Sequence, residues 1–164
     1  MIMKKKSKVT KAKRKVIKLK PKTAKAKSKV TKTKPKAPAV VRNRILIVDD
    51  DPGILEIYSA LLEDAGFIVD QAEHALAAIA SVVRATPDLI LADIRMPIVD
   101  GMGLVAELKA HSDSCDIPVV AITGYDSAES REEALKAGYA EYITKPINPR
   151  LFPSQIAKLI RKPK

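Results

Sequence analysis

Asp49, Asp50 and Asp51 stand in a row directly after the apolar run Ile45 to Val48. Three adjacent acids repel one another and raise one another's pKa unless a cation or the edge of the protein relieves them. Further along the chain Asp93 follows "LILA", Thr123 closes "PVVAIT" and Lys145 follows "YIT". If Asp49, Asp50 and Asp93 were brought together, their all-oxygen ligand set would suit a small hard cation such as Mg²⁺, which keeps several waters. A carboxylate is also a nucleophile that can attack phosphorus and form an acyl phosphate. Phosphoryl transfer asks mainly for positioning and for neutralisation of three equatorial oxygens. The metal can neutralise one, the Lys145 ammonium a second, and the Thr123 hydroxyl with nearby backbone N–H groups a third.

For these residues to meet, each must stand at the same end of its own strand. Short apolar runs place strands at Ile45 to Val48, Phe67 to Gln71, Leu89 to Ala92, Val119 to Thr123 and Tyr142 to Thr144. Helical patterns lie between them. Ile54, Leu55, Tyr58, Leu61 and Leu62 share one helical face, with Asp51 as the cap, Pro52 at the first position and Gly66 past the far end. Residues His74 to Ala85, Met102 to Ala110, Ala128 to Ala137 and Leu151 to Ile160 supply four more helices. Five strands alternating with five helices predict a doubly wound α/β domain with a parallel sheet covered on both faces. In such a sheet ligands bind outside the carboxyl ends of the strands, where Asp49, Asp50, Asp93, Thr123 and Lys145 fall.

Charge divides the chain in two. Residues 1–41 hold sixteen lysines and Arg14 with no acid, a charge of +17, so the net +11 leaves −6 for residues 42–164. Self-repulsion and scarce apolar surface predict a disordered basic tail over residues 1–43, ahead of a folded domain over residues 44–164. The tail is composed like those of lysine-rich linker histones, and nucleic acid is its expected partner through salt-sensitive counterion release. It lacks the rings that stacking on bases needs. A single cysteine, Cys115, excludes an intramolecular disulfide and points to a reducing compartment. Neither a membrane span nor a secretory signal is legible, so the expected location is the cytoplasm, with the basic tail allowing association with the nucleoid.

Taken in order, the motifs resemble the receiver domain of two-component response regulators over about Arg44 to Ile160. The acidic pair is Asp49 and Asp50; "D-x-x-M-P-x-x-D-G" is matched by Asp93, Met96, Pro97, Asp100 and Gly101; the hydroxyl is Thr123 beside Gly124; and the "K-P" pair is Lys145 and Pro146. The resemblance implies a flavodoxin-like fold with strand order 2-1-3-4-5 and a cis Lys145–Pro146 bond. It also implies that the domain is a signalling switch rather than an enzyme. Asp93 would accept a phosphoryl group from a histidine kinase or histidine phosphotransfer protein. Mg²⁺ would be held by Asp50, Asp93 and the Arg95 backbone carbonyl, with Asp49 contributing through water. Thr123 and Lys145 would grip the phosphoryl oxygens, and Tyr142 would be the aromatic that turns inward with Thr123. The fourth helix, with only Ala128, Ala134, Leu135 and Ala137 to bury, is thinly anchored, as a movable output face requires.

Other residues are assigned plainer parts. Asp51 is expected to cap a helix rather than join the metal shell, and Cys115 to be an idle thiol. His74 and His111 are expected at the surface without partners, and Asp100, Gly101 and Gly103 to serve a turn. Arg95 and Tyr125 occupy family positions that influence acyl phosphate lifetime. Pro153 should shorten or distort the first turn of the last helix. It weighs against a phosphorylation-linked dimer built on that helix. Two rival functions are defined by the same residues. A haloacid dehalogenase-like phosphatase would use Asp49 and Asp51 as "D-x-D" with Thr123 and Lys145, but it needs an acid after the lysine and leaves Asp93 idle. An architectural nucleic-acid-binding protein would use the receiver only as a dimerisation scaffold.

Overall fold

The computed structural model describes residues 43–160. The tail expected over residues 1–43 lies outside the described residues apart from Asn43. In chain order the elements are β1 Arg44–Val48, α1 Pro52–Asp64, β2 Ile68–Ala72, α2 Ala75–Arg84 and β3 Leu89–Ala92, followed by α3 Gly101–Ala110, β4 Val119–Thr123, α4 Ala128–Ala137, β5 Glu141–Thr144 and α5 Phe152–Ile160. All pairings are parallel and the strand order is β2-β1-β3-β4-β5, as expected. The chain therefore reverses its winding beside β1 and β3, which makes the gap beyond their carboxyl ends the natural ligand position.

Alternation along the strands builds a core on each face. Leu46, Val48, Ile90 and Ala121 point towards α2, α3 and α4, where they meet Ala78, Leu104 and Ala134. Ile45, Ile47, Leu89, Leu91 and Ile122 point the other way, onto Leu55, Tyr58, Phe152 and Ile156 of α1 and α5. The central strands β1, β3 and β4 are apolar because both faces are covered.

Element ends differ from the sequence reading by a residue or so, for local reasons. Phe67 precedes β2 rather than opening it, its N–H donating to the Leu62 carbonyl at the end of α1. His74 is not without a partner: it caps α2, its Nδ1 accepting from the Ala77 N–H at 3.1 Å. His111 ends α3, with Nδ1 2.9 Å from the Glu107 carbonyl oxygen. Asp100 is more than turn chemistry, because it caps α3 through the Gly103 N–H at 2.9 Å. Pro153 is accommodated because α5 starts at Phe152, which leaves the proline in the first turn where a backbone donor is not needed.

Candidate functional site

Register brings the strand tips level. Val48 is opposite Ala92, so Asp49 and Asp93 are the next residues on neighbouring strands, and the Asp93 N–H donates to the Val48 carbonyl at 2.9 Å. Thr123 is opposite Thr144, and Lys145 follows with its N–H on the Thr123 carbonyl at 2.7 Å. Two residues before Asp49, Asp93 and Lys145 come Ile47, Leu91 and Ile143, all packed on the α1 and α5 side. Alternation carries the three polar side chains out on that same side, while Thr123 follows Ala121 on the other.

The Lys145 Nζ lies 2.7 Å from Asp49 Oδ2 and 3.0 Å from Asp93 Oδ2. Burial alone would push this ammonium down, but hydrogen bonds to Asp49 and then Asp93, with their charges, outweigh it and hold the lysine above its ordinary value. Asp49 is buried; its second oxygen accepts the Asp51 N–H at 3.0 Å. The other oxygen of Asp93, Oδ1, accepts the Arg95 N–H at 3.3 Å. Asp50 is exposed, and one carboxylate oxygen from each of Asp49, Asp50 and Asp93 can be chosen so that all lie within 4.8 Å of one another. Three carboxylates against one ammonium leave two negative charges. An all-oxygen cluster with that deficit fits a divalent hard cation such as Mg²⁺. Asp51 stands apart from this group: its Oδ1 caps α1 through Gly53 N–H at 2.8 Å and Ile54 N–H at 3.4 Å.

Thr123 is buried, and its Oγ1 accepts from the Tyr125 N–H at 3.5 Å. Tyr142 is turned inward, its hydroxyl donating to the Tyr125 carbonyl at 2.5 Å. Burial raises its pKa, with Asp126 adding and Arg131, 6.0 Å from the ring centre, opposing. The Arg95 guanidinium stacks 4.8 Å above the Tyr125 ring. Between these side chains and α4 is a cavity of about 240 Å³, lined by Arg95, Met102, Thr123, Tyr125, Glu133 and Tyr142 among others.

Two tyrosines border the site without having been singled out as site residues in the sequence. Tyr58 packs on Phe152 at 5.3 Å between ring centres, and burial raises its hydroxyl pKa against the pull of Lys145, with Asp49 and Asp93 adding to the rise. Tyr139 is pushed up by burial first, then by Asp100 and Asp93. Helical spacing had placed Tyr58 on a buried face; a phenol where phenylalanine would pack as well was the available signal.

The sequence profile of the response regulator receiver domain matches residues 45–157. Among curated proteins, the phosphate regulon transcriptional regulatory protein PhoB of Pseudomonas aeruginosa is 35% identical over 123 residues, 75% of this chain and 54% of PhoB. The chain spans about half the length of the transcriptional regulators it matches. Chemotaxis protein CheY4 of Vibrio cholerae has a similar structure, with TM-score 0.69 and 28% identity over 72% of this chain and 98% of CheY4. So does the receiver domain of sensor histidine kinase PA1611 from Pseudomonas aeruginosa, solved with a magnesium ion coordinated in its active site cleft, with TM-score 0.68 and 28% identity over 74% of this chain and 99% of that one.

Proposed function

The chain belongs to the response regulator receiver domain family, and on that premise we propose that it is the phosphorylation switch of a two-component phosphorelay, with Asp93 as the phosphoacceptor. The observation that carries this reading is the Lys145 ammonium held between Asp49 and Asp93, beside the acidic cluster. A carboxylate oxygen of Asp93 attacks the phosphorus of a phosphohistidine on a histidine kinase or phosphotransfer protein. The new O–P bond forms as the P–N bond breaks, and the electron pair leaves with the imidazole nitrogen. In this reading Lys145, which already holds an Asp93 oxygen at 3.0 Å, turns to a phosphoryl oxygen, and the Thr123 hydroxyl receives another.

Asp49, Asp50, Asp93 and the backbone carbonyl of Arg95 would hold Mg²⁺, which supplies positive charge to the phosphoryl oxygens when bound. Readout begins at Thr123. Its Oγ1 holds the Tyr125 N–H, and the Tyr125 carbonyl holds the Tyr142 hydroxyl, so a shift of Thr123 towards the phosphoryl group is transmitted to the Tyr142 side chain.

The phosphatase reading has less support, because Asp51 is committed to capping α1 while Asp93 faces the lysine. Incubation with acetyl phosphate and Mg²⁺ should label Asp93, with base-labile phosphate located by mass spectrometry, and Asp93→Asn should abolish the label. Steady phosphate release from many phosphomonoesters, with Asp93 unlabelled, would support the phosphatase instead.

The basic residues 1–41 supply a second part of the proposal: non-specific binding to nucleic acid, carried by seventeen cations with no acid among them. Cytoplasmic location is proposed with it; no helix among the described residues is long and apolar enough to cross a membrane.

A further inference from the structure

Tyr139 is 3% exposed, and among the described residues its hydroxyl is the buried side-chain polar atom without a hydrogen-bond partner. Buried hydroxyls are nearly always paired, so an orphan calls for a bound water, a ligand or a second state that satisfies it. Packing alone does not require the oxygen, since a phenylalanine would fill the same core beside Leu104, Val105 and Ala134. The hydroxyl lies beneath the first turn of α3, where a Cβ on Gly101 would collide both with it and with the main-chain carbonyl oxygen of Asp93. A candidate acceptor on the residue proposed as phosphoacceptor is thus close by, the two oxygens converging on the spot that Gly101 keeps free of a side chain.

The other end of Tyr139 is fixed to α4. Gly138, at φ 109°, ends that helix, and the Tyr139 N–H donates to the Ala134 carbonyl at 3.1 Å. Ala134 is the one residue that α4 buries fully. A pull on the Tyr139 ring therefore acts on the last turn of a helix that buries little else, while its Arg131 pairs with Glu141 of β5 at 2.7 Å.

We propose that the Tyr139 hydroxyl is a donor reserved for the Asp93 main-chain carbonyl, engaged when the β3–α3 loop settles in the phosphorylated state. Tyr139 is then a positioning residue that couples the phosphoacceptor to the carboxyl end of α4, separately from the Thr123, Tyr125 and Tyr142 chain. The inference rests on the reading of Asp93 as the phosphoacceptor.

The test compares the full chain with Tyr139→Phe, each with and without beryllium fluoride and Mg²⁺ as a mimic of the phosphoryl group, after acetyl phosphate labelling of Asp93 has been scored in both. Hydrogen exchange over residues 134–140 and the ¹³Cζ resonance of Tyr139 are the readouts. In the unaltered protein the mimic should slow exchange of that segment by at least about twofold and shift the resonance as the hydroxyl gains an acceptor. Tyr139→Phe should still label at Asp93 while the exchange ratio falls towards one. An unaltered ratio in the variant, or an unmoved resonance in the parent, overturns the inference alone. Loss of Asp93 labelling in the parent overturns the phosphoacceptor reading and this inference with it. Should the variant not fold, the resonance of the parent decides.

Discussion

Lys145 is the residue on which the electrostatics of the site turn. Its ammonium answers two carboxylates, one of them buried, so Lys145→Met leaves Asp49 with a charge that neither solvent nor a cationic side chain relieves. Removing one member of a buried pair costs several kcal/mol; with Lys145 partly exposed, we expect a loss of about 2 kcal/mol at neutral pH, read from urea unfolding. Because the folded pKa of Lys145 is raised, its contribution is fully present below the ordinary lysine value of about 10.4 and is lost as pH rises through the folded value. The gap between parent and variant should therefore stay level in neutral solution and close only in strong alkali. Ile98 makes the opposite case. It is 99% exposed and holds φ at 71°, a left-handed conformation that a β-branched side chain resists. Ile98→Asn should stabilise the domain by about 1 kcal/mol, seen as a higher urea midpoint with unchanged slope.

At the scale of elements, the first turn of α3 must come close against Asp93. Gly101 N–H donates to the Ile94 carbonyl at 2.9 Å, and a methyl group at Gly101 would meet the Asp93 carbonyl oxygen, which is backbone and cannot swing aside. Gly101→Ala should cost about 2 kcal/mol or more and slow acetyl phosphate labelling, whereas Gly124→Ala, with nothing nearby, should leave packing intact. The elements were legible in the sequence because the apolar strands are short, buried on both faces and bounded by polar tips. Asp49, Asp93, Thr123 and Lys145 were legible for the same reason, since each follows an apolar run in a parallel sheet. Tyr139 and the capping roles of His74 and Asp100 were not, because they depend on how a loop or helix end folds back on its neighbours. No periodicity encodes that. The expected shortening at Pro153 agrees with α5 starting at Phe152 rather than Leu151; how the proline is accommodated there was not legible, because it depends on a boundary of one residue.

For the whole molecule, two opposite charges share one chain: +17 over residues 1–41 against −6 over the remainder. Binding of the intact protein to duplex DNA should weaken by at least about tenfold between 50 and 200 mM salt, and deletion of residues 1–41 should abolish it. Retention of DNA by the deleted protein at low salt would contradict the proposed role of those residues. The central claim is tested most directly by the intact chain in acetyl phosphate and Mg²⁺, read by mass spectrometry. One phosphoryl group per molecule, mapped to Asp93 and absent from Asp93→Asn, is the predicted result; a label on another residue, or none with the fold intact, would contradict it.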